Sequence, residues 1–145
     1  MEVIAIDAGA YRNMGVLSHP DGSYKMYWEH EVAEVINRIR AAKVVITFNG
    51  DRYDLTPRAH FPELSELPES VASLDMRDLA WRTNQSFFGR NLATIYLVVF
   101  GTLPTDDTCP TDPYLANNWL DCRMALDLWL RYSEGSLRPI LTPKS

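Results

Sequence analysis

The sequence predicts an α/β fold with a mixed five-stranded sheet, in which an antiparallel meander of three strands is joined by two parallel strands and flanked by helices. Two strand-like runs flank a His-Pro-Asp-Gly turn near the N-terminus, and apolar residues then recur at helical spacing before another buried strand. The 145 residues, 46% of them hydrophobic and 23% charged, have the composition of a globular protein large enough for one core.

The first three strands are predicted to form the meander. Residues 3–6 are an uninterrupted apolar run that ends at Asp7, and residues 14–18 and 24–28 lie on either side of the turn at 19–22. Proline, aspartate and glycine each favour turn geometry, so the second and third strands are expected to form a hairpin.

A helix and two parallel strands are predicted next. A helix over residues 31–42 follows from four apolar residues at helical spacing: Val32, Val35, Ile36 and Ile39. Residues 44–48 have the β-branched and aromatic composition of a strand buried on both faces, and the Asn-Gly step after them favours a turn. Residues 71–74 are the candidate fifth strand.

Two further helices are predicted from their end signals. Residues 91–100 form an apolar helix closed by Gly101, a residue type that favours the position after a helix. Asp112 is the expected N-cap of the last helix, Pro113 its first residue, and the helical pattern runs to about residue 132.

Composition limits the function classes. A net charge of −5 argues against a broad basic surface for nucleic acid, but suits a nuclease whose carboxylates hold cations. No apolar run reaches the roughly 20 residues that span a bilayer, so no membrane association is expected. Cys109 and Cys122 are too few for a disulfide framework, which predicts a reduced, cytoplasmic setting. Residues 1–135 are predicted to form one domain and residues 136–145 a C-terminal tail.

Three aspartates occupy positions that could converge. Asp7 ends the first strand, and Asp54 follows the fourth strand, so their carboxylates meet if these two strands are parallel neighbours. Asp121 lies on the last helix, on the same face as Asn117 and Tyr114. A charged residue on a helix rich in Trp and Leu needs a partner, and a divalent cation is one candidate.

These residues resemble the motifs of the DEDD 3′–5′ exonuclease superfamily, which has a ribonuclease H-like fold. The pattern Asn49-x-x-x-Tyr53-Asp54 resembles the second motif, and Asp7 and Asp121 match aspartates of the first and third. The similarity is strongest to polymerase proofreading domains and spans nearly the whole chain. It implies Mg²⁺ or Mn²⁺ held by Asp7, Asp54 and Asp121, and two-metal hydrolysis of phosphodiester bonds. The implied substrate is DNA or RNA with a single-stranded 3′ end, with a polymerase or other replication protein as a candidate partner.

The chain departs from the family pattern at two places. The first motif is normally Asp-x-Glu, but this chain has Asp7-Ala8-Gly9, so the glutamate is missing. The third motif normally has a tyrosine four residues before its aspartate or a histidine five before, and this chain has Asn117 and Ala116 there. The loss of a carboxylate and of the general base is expected to weaken metal binding and slow hydrolysis.

Other residues are candidates to replace what is missing. Tyr114 could orient the attacking water, which gives it a candidate catalytic role beside the aspartates, and Glu29 or Glu31 could supply a metal ligand. Arg52 and Arg58 flank Asp54 closely enough for phosphate contacts. The candidate nucleic-acid-binding residues are Asn49, Arg52, Tyr53, Arg58 and Asn117.

Two alternatives to an active exonuclease remain open. One is a catalytically inactive relative that keeps the fold as a nucleic-acid-binding or protein-binding module, which the missing glutamate favours. The other is a Holliday-junction resolvase-like nuclease, since residues 6–9 and 14–16 resemble the first strands of that group. A resolvase would need paired acidic residues late in the chain. Fold alone does not decide between these functions.

Overall fold

The structure of the protein is a computed structural model that describes residues 2–8, 13–48, 73–75 and 90–133. The strands of these residues are β1 (Val3–Ala8), β2 (Asn13–His19), β3 (Tyr24–Trp28), β4 (Val44–Thr47) and the three-residue β5 (Ser73–Asp75). Their helices are α1 (Val32–Ala41), α2 (Leu92–Phe100) and α3 (Pro113–Ser133). The predicted α/β class and mixed sheet are confirmed. The ribonuclease H-like assignment and the division into domain and tail stay predictions, and residues 136–145 lie outside the described residues.

The strand order across the sheet is β3-β2-β1-β4-β5. The pairs β1–β2 and β2–β3 are antiparallel, as the hairpin pattern predicts, and β1–β4 and β4–β5 are parallel. Ile4 pairs with Val45, so β1 and β4 run in the same direction and their carboxyl ends lie at one edge of the sheet. Asp7, opposite Gly15 on β2, lies at this edge.

The two faces of the sheet bury separate apolar clusters, because side chains alternate along each strand. Ile4 and Ile6 of β1 pack against α1, in the cluster of Ile4, Ile6, Met14, Val16, Tyr27, Val35, Ile39 and Val45. Val3 and Ala5 face the other way, toward α2 and α3, whose buried residues include Ile95, Trp119 and Leu128. Asp7 follows Val3 and Ala5 in this alternation, so its side chain faces α3.

The helix ends use the residues expected from the sequence. At α2 the Asn91 side chain accepts a hydrogen bond from the Thr94 N–H at 2.8 Å, and Gly101 has φ of 81° while its N–H donates to the Leu97 carbonyl. At α3 the Asp112 Oδ1 accepts from the N–H groups of Tyr114 and Leu115 at 2.9 and 3.2 Å. The predictions for Gly101 and Asp112 are confirmed, since capping depends on a few neighbouring residues, whereas Asn91, predicted to be the first residue of its helix, is the N-cap.

Some boundaries differ from the prediction. A 3₁₀ turn, Glu29–Glu31, precedes α1, and the Glu31 carboxylate accepts from the Trp28 N–H at 3.2 Å. This contact satisfies a donor at the end of β3 and delays the start of the helix to Val32. In the described residues, no helix combines the length and the apolar character that a membrane span requires.

Candidate functional site

The candidate site is a pocket of about 200 Å³ between the end of β1 and the first half of α3. Its described lining is polar apart from one alanine and consists of Asp7, Ala8, Tyr114, Asn117, Asn118 and Asp121. Aspartate, asparagine and tyrosine present oxygen atoms, which are the ligands that Mg²⁺ and Mn²⁺ prefer in proteins. The structure thus brings together four of the residues singled out in the sequence: Asp7, Tyr114, Asn117 and Asp121.

Asp7 and Asp121 both line the pocket, and their carboxyl groups interact through a hydrogen bond, which requires one of the two to be protonated. Two neighbouring carboxylates repel each other when both are ionised, unless a cation or a shared proton lies between them. Burial against protein atoms raises the pKa of the Asp121 carboxyl, and the hydrogen bond with Asp7 acts in the opposite direction. Asp121 is an exposed residue, so water screens part of the rise in its pKa.

Asn118 connects Asp7 to the interior of the protein. It is 6% exposed, and its Nδ2 donates to the Asp7 main-chain carbonyl at 3.0 Å and to Asp7 Oδ2 at 3.2 Å. At the other end of the amide, Oδ1 accepts from the Tyr24 hydroxyl at 2.9 Å. Burial, together with the charges of groups around the ring, raises the pKa of Tyr24 far above its ordinary value, so the phenol stays protonated and can donate.

Gly15 provides the space for Asn118. A Cβ atom at this position would lie 1.6 Å from Asn118 Oδ1 and 2.7 Å from its Cγ. Because a Cβ atom does not approach a non-bonded heavy atom below about 3 Å, any larger residue at position 15 would displace the asparagine. The glycine in β2 is therefore part of the site, although it carries no functional group.

Tyr114 and Asn13 form a second polar contact at the pocket wall. The Tyr114 hydroxyl donates to Asn13 Oδ1 at 3.0 Å. Asn13 is fully buried, and its Nδ2 has no hydrogen-bond partner among the described residues. The contact directs the phenolic proton of Tyr114 toward Asn13, and the role of Tyr114 in orienting water stays a prediction.

Several predicted site residues cannot be placed by the described ranges. Asp54 lies outside them, as do Gly9 and the candidate nucleic-acid contacts Asn49, Arg52, Tyr53 and Arg58. Within the residues that the structure describes, no group of three or more His, Cys, Asp and Glu side chains could hold a metal ion. The described part of the site supplies two carboxylates of the predicted three, and the roles of all these residues stay predictions.

The suggested replacement ligands are not at the pocket. The Glu31 carboxylate is 3.1 Å from Lys25 Nζ and also accepts from the Trp28 N–H, so its position is set by groups at the α1 side of the sheet. Glu29 is exposed and is absent from the described pocket lining. Asp127, the other aspartate of α3, is also absent from the described pocket lining, and it accepts from the Tyr96 hydroxyl at 2.7 Å and pairs with Arg123.

Sequence reasoning missed four residues of the site: Asn13, Gly15, Tyr24 and Asn118. One signal was present, since an isolated glycine within a strand pattern often marks the close approach of another group. Asn118, next to the predicted Asn117, was a second signal. The partner of each could not be inferred locally, because Asn118 and Tyr24 are 94 residues apart in the sequence.

Comparisons with known proteins show a likeness in fold alone. No protein-family model matches the chain, and no curated protein matches it. Its structure is similar to part of a family B DNA polymerase from the hyperthermophilic archaeon Pyrobaculum calidifontis, with a TM-score of 0.58 and 10% sequence identity. The similarity covers 92% of this chain and 24% of the polymerase chain, so this chain corresponds to about a quarter of that protein.

Proposed function

We propose that this protein is a metal-dependent 3′–5′ exonuclease with a ribonuclease H-like fold, which hydrolyses phosphodiester bonds at single-stranded ends of DNA or RNA. The observation that carries the proposal is the convergence of the Asp7 and Asp121 carboxyl groups, from β1 and α3, on one oxygen-lined pocket. The pocket lies at the carboxyl end of β1, the edge at which α/β sheets usually bind their ligands.

The donor set supports Mg²⁺ or Mn²⁺ as the cofactor. Asp7 and Asp121 would hold the cation together with Asp54, the third carboxylate of the sequence pattern. A bound divalent cation supplies an activated water and stabilises the charge on the leaving oxygen. Without it, the paired carboxylates of Asp7 and Asp121 repel one another and favour a shared proton.

The remaining predicted residues take supporting roles in this proposal. Asn117 is exposed beside the pocket, where its amide can contact a nucleotide, and Tyr114 lies at the wall where the attacking water would be oriented. The proposed contacts with the phosphate backbone and the terminal nucleotide are Asn49, Arg52, Tyr53 and Arg58. Both cysteines are free thiols, which suits the proposed cytoplasmic setting.

The fold likeness supports a nucleic-acid-related function. The neighbour is a DNA polymerase, and the sequence motifs independently resemble polymerase proofreading domains. We include a polymerase or another replication protein among the candidate partners for this reason.

A catalytically inactive binding module is the second candidate. The observation that favours it is Asp7-Ala8-Gly9, which lacks the glutamate of the family's first motif. The resolvase-like alternative has less support. A resolvase needs paired acidic residues late in the chain. The second aspartate of α3, Asp127, instead contacts Arg123 and Tyr96 and is absent from the described pocket lining.

The test is a digestion assay on the full chain. Single-stranded DNA and RNA oligonucleotides, labelled at the 5′ end, are incubated with protein and Mn²⁺ and resolved on a sequencing gel. We expect a ladder of products shortened from the 3′ end. Asp7→Asn and Asp121→Asn should abolish the ladder, while Asp127→Asn, on the same helix but absent from the described pocket lining, should keep it. An absence of products with retained oligonucleotide binding, measured by fluorescence anisotropy, would favour the binding module.

A further inference from the structure

We propose that Asn118 is a positioning residue that sets the orientation of the Asp7 carboxylate for cation binding, an inference that rests on the proposed function. Asn118 belongs to no motif of the sequence pattern. It is assigned here because one amide group makes two hydrogen bonds to Asp7 and one to Tyr24, with a longer contact of 3.9 Å from the Cys122 thiol to Oδ1.

The two bonds to Asp7 restrict the rotation of its carboxylate. Asn118 Nδ2 lies 3.0 Å from the main-chain oxygen of Asp7 and 3.2 Å from its Oδ2. A single donor that reaches both oxygens fixes the side chain relative to its own backbone. Metal sites depend on such contacts, because ligands must be oriented before the cation binds.

The Asp7 main-chain carbonyl decides which end of the Asn118 amide faces Asp7, because a carbonyl oxygen can only accept a hydrogen bond. An amide can rotate by half a turn with little change in shape, and that rotation would place an oxygen against the carboxylate. Nδ2 therefore faces Asp7, and Oδ1 points toward β3, where the Tyr24 hydroxyl donates to it at 2.9 Å and holds that end of the amide in place. Gly15 leaves the space in which this arrangement fits.

The experiment measures Mn²⁺ affinity directly, by calorimetry or by the electron paramagnetic resonance signal of free Mn²⁺, with the full chain. We expect Asn118→Ala to weaken Mn²⁺ binding about 10–100-fold, the usual effect of removing a group that orients a metal ligand. Tyr24→Phe should weaken Mn²⁺ binding too, but less, because the amide keeps its donor to Asp7 and loses the hydrogen bond that holds its oxygen end. Tyr24→Phe retains the ring and carries the test if Asn118→Ala does not fold.

Tyr96→Phe is the matched control. It also removes a tyrosine hydrogen bond to α3, in this case to Asp127 and away from the pocket, so Mn²⁺ affinity should stay unchanged. Thermal unfolding in EDTA establishes that each variant is folded. A wild-type protein that binds no Mn²⁺ refutes the proposed function and the present inference with it. Normal Mn²⁺ affinity in both Asn118→Ala and Tyr24→Phe refutes the present inference alone. An equal loss in Tyr96→Phe shows a general displacement of α3 and also overturns the positioning role.

Discussion

Replacing Gly15 with alanine tests whether the site depends on the absence of a side chain at this position. The backbone of Gly15 lies within β2, and the added Cβ would lie 1.6 Å from Asn118 Oδ1. Asn118 must then move, which breaks its hydrogen bonds to Asp7 and Tyr24. Overpacking typically costs about 1–3 kcal/mol, and a lost hydrogen bond contributes about 1 kcal/mol. We therefore expect Gly15→Ala to lower the free energy of unfolding by about 2–4 kcal/mol.

The second variant removes the atoms that clash. In an Asn118→Ala background, the nearest atom left to the Cβ of Gly15→Ala is the Tyr24 hydroxyl oxygen at 3.1 Å, and that ring has lost the hydrogen bond that holds it. Replacing a strand glycine with alanine also reduces the entropy of the unfolded chain, a gain of about 0.4–1 kcal/mol. Gly15→Ala should then change stability by less than about 1 kcal/mol. The two substitutions should therefore be coupled by about 1–5 kcal/mol.

The assay is urea unfolding of the four proteins of this double-mutant cycle, followed by circular dichroism in EDTA. Thermal midpoints should agree, with a loss of roughly 6–12 °C for Gly15→Ala alone at roughly 3 °C per kcal/mol. Additive effects, with Gly15→Ala equally harmful in both backgrounds, would refute the reasoning. They would show that Asn118 does not occupy the space above Gly15.

Three further predictions concern charge and capping. Burial raises the pKa of Asp121 in the folded protein, so the stability that this group contributes is present below the pKa of the unfolded chain, about 3.9, and is lost as the pH rises through the folded pKa. Asp121→Asn should therefore raise the melting temperature in EDTA more at pH 7 than at pH 4. An equal change in melting temperature at the two pH values would contradict this. Burial and the hydrogen bond to Asp127 raise the pKa of Tyr96, so stability should fall as the pH rises above about 10, and Tyr96→Phe should make that fall less steep in thermal melts between about pH 9 and 11. Asp112→Ala should destabilise the protein by about 0.5–2 kcal/mol in urea titrations because two N–H groups lose their acceptor, whereas Thr111→Ala, at an exposed neighbouring position, should change stability little.

Local signals in the sequence determined the elements of this protein. The hairpin turn at residues 19–22, the cap at Asp112 and the helix end at Gly101 each depend on a few neighbouring residues, and the structure has each of them. The apolar alternation of β1 also determined that Asp7 follows Val3 and Ala5 on one face. The helical spacing of the sequence also placed Asp121 on the face of α3 that carries Tyr114 and Asn117.

Only the tertiary structure decided which side chains surround Asp7. The contact with Asp121 requires α3 to pack across β1, and the hydrogen bonds of Asn118 join residues 94 and 111 positions apart. Helical spacing placed Asn117 on the face of Asp121, yet Asn117 is exposed and its neighbour Asn118 is the buried residue that bonds Asp7. The physical reason is that Gly15 has no Cβ, so the Asn118 amide of α3 can pack against β2. This space belongs to a strand far from α3 in the sequence, so the residues of α3 alone cannot predict it.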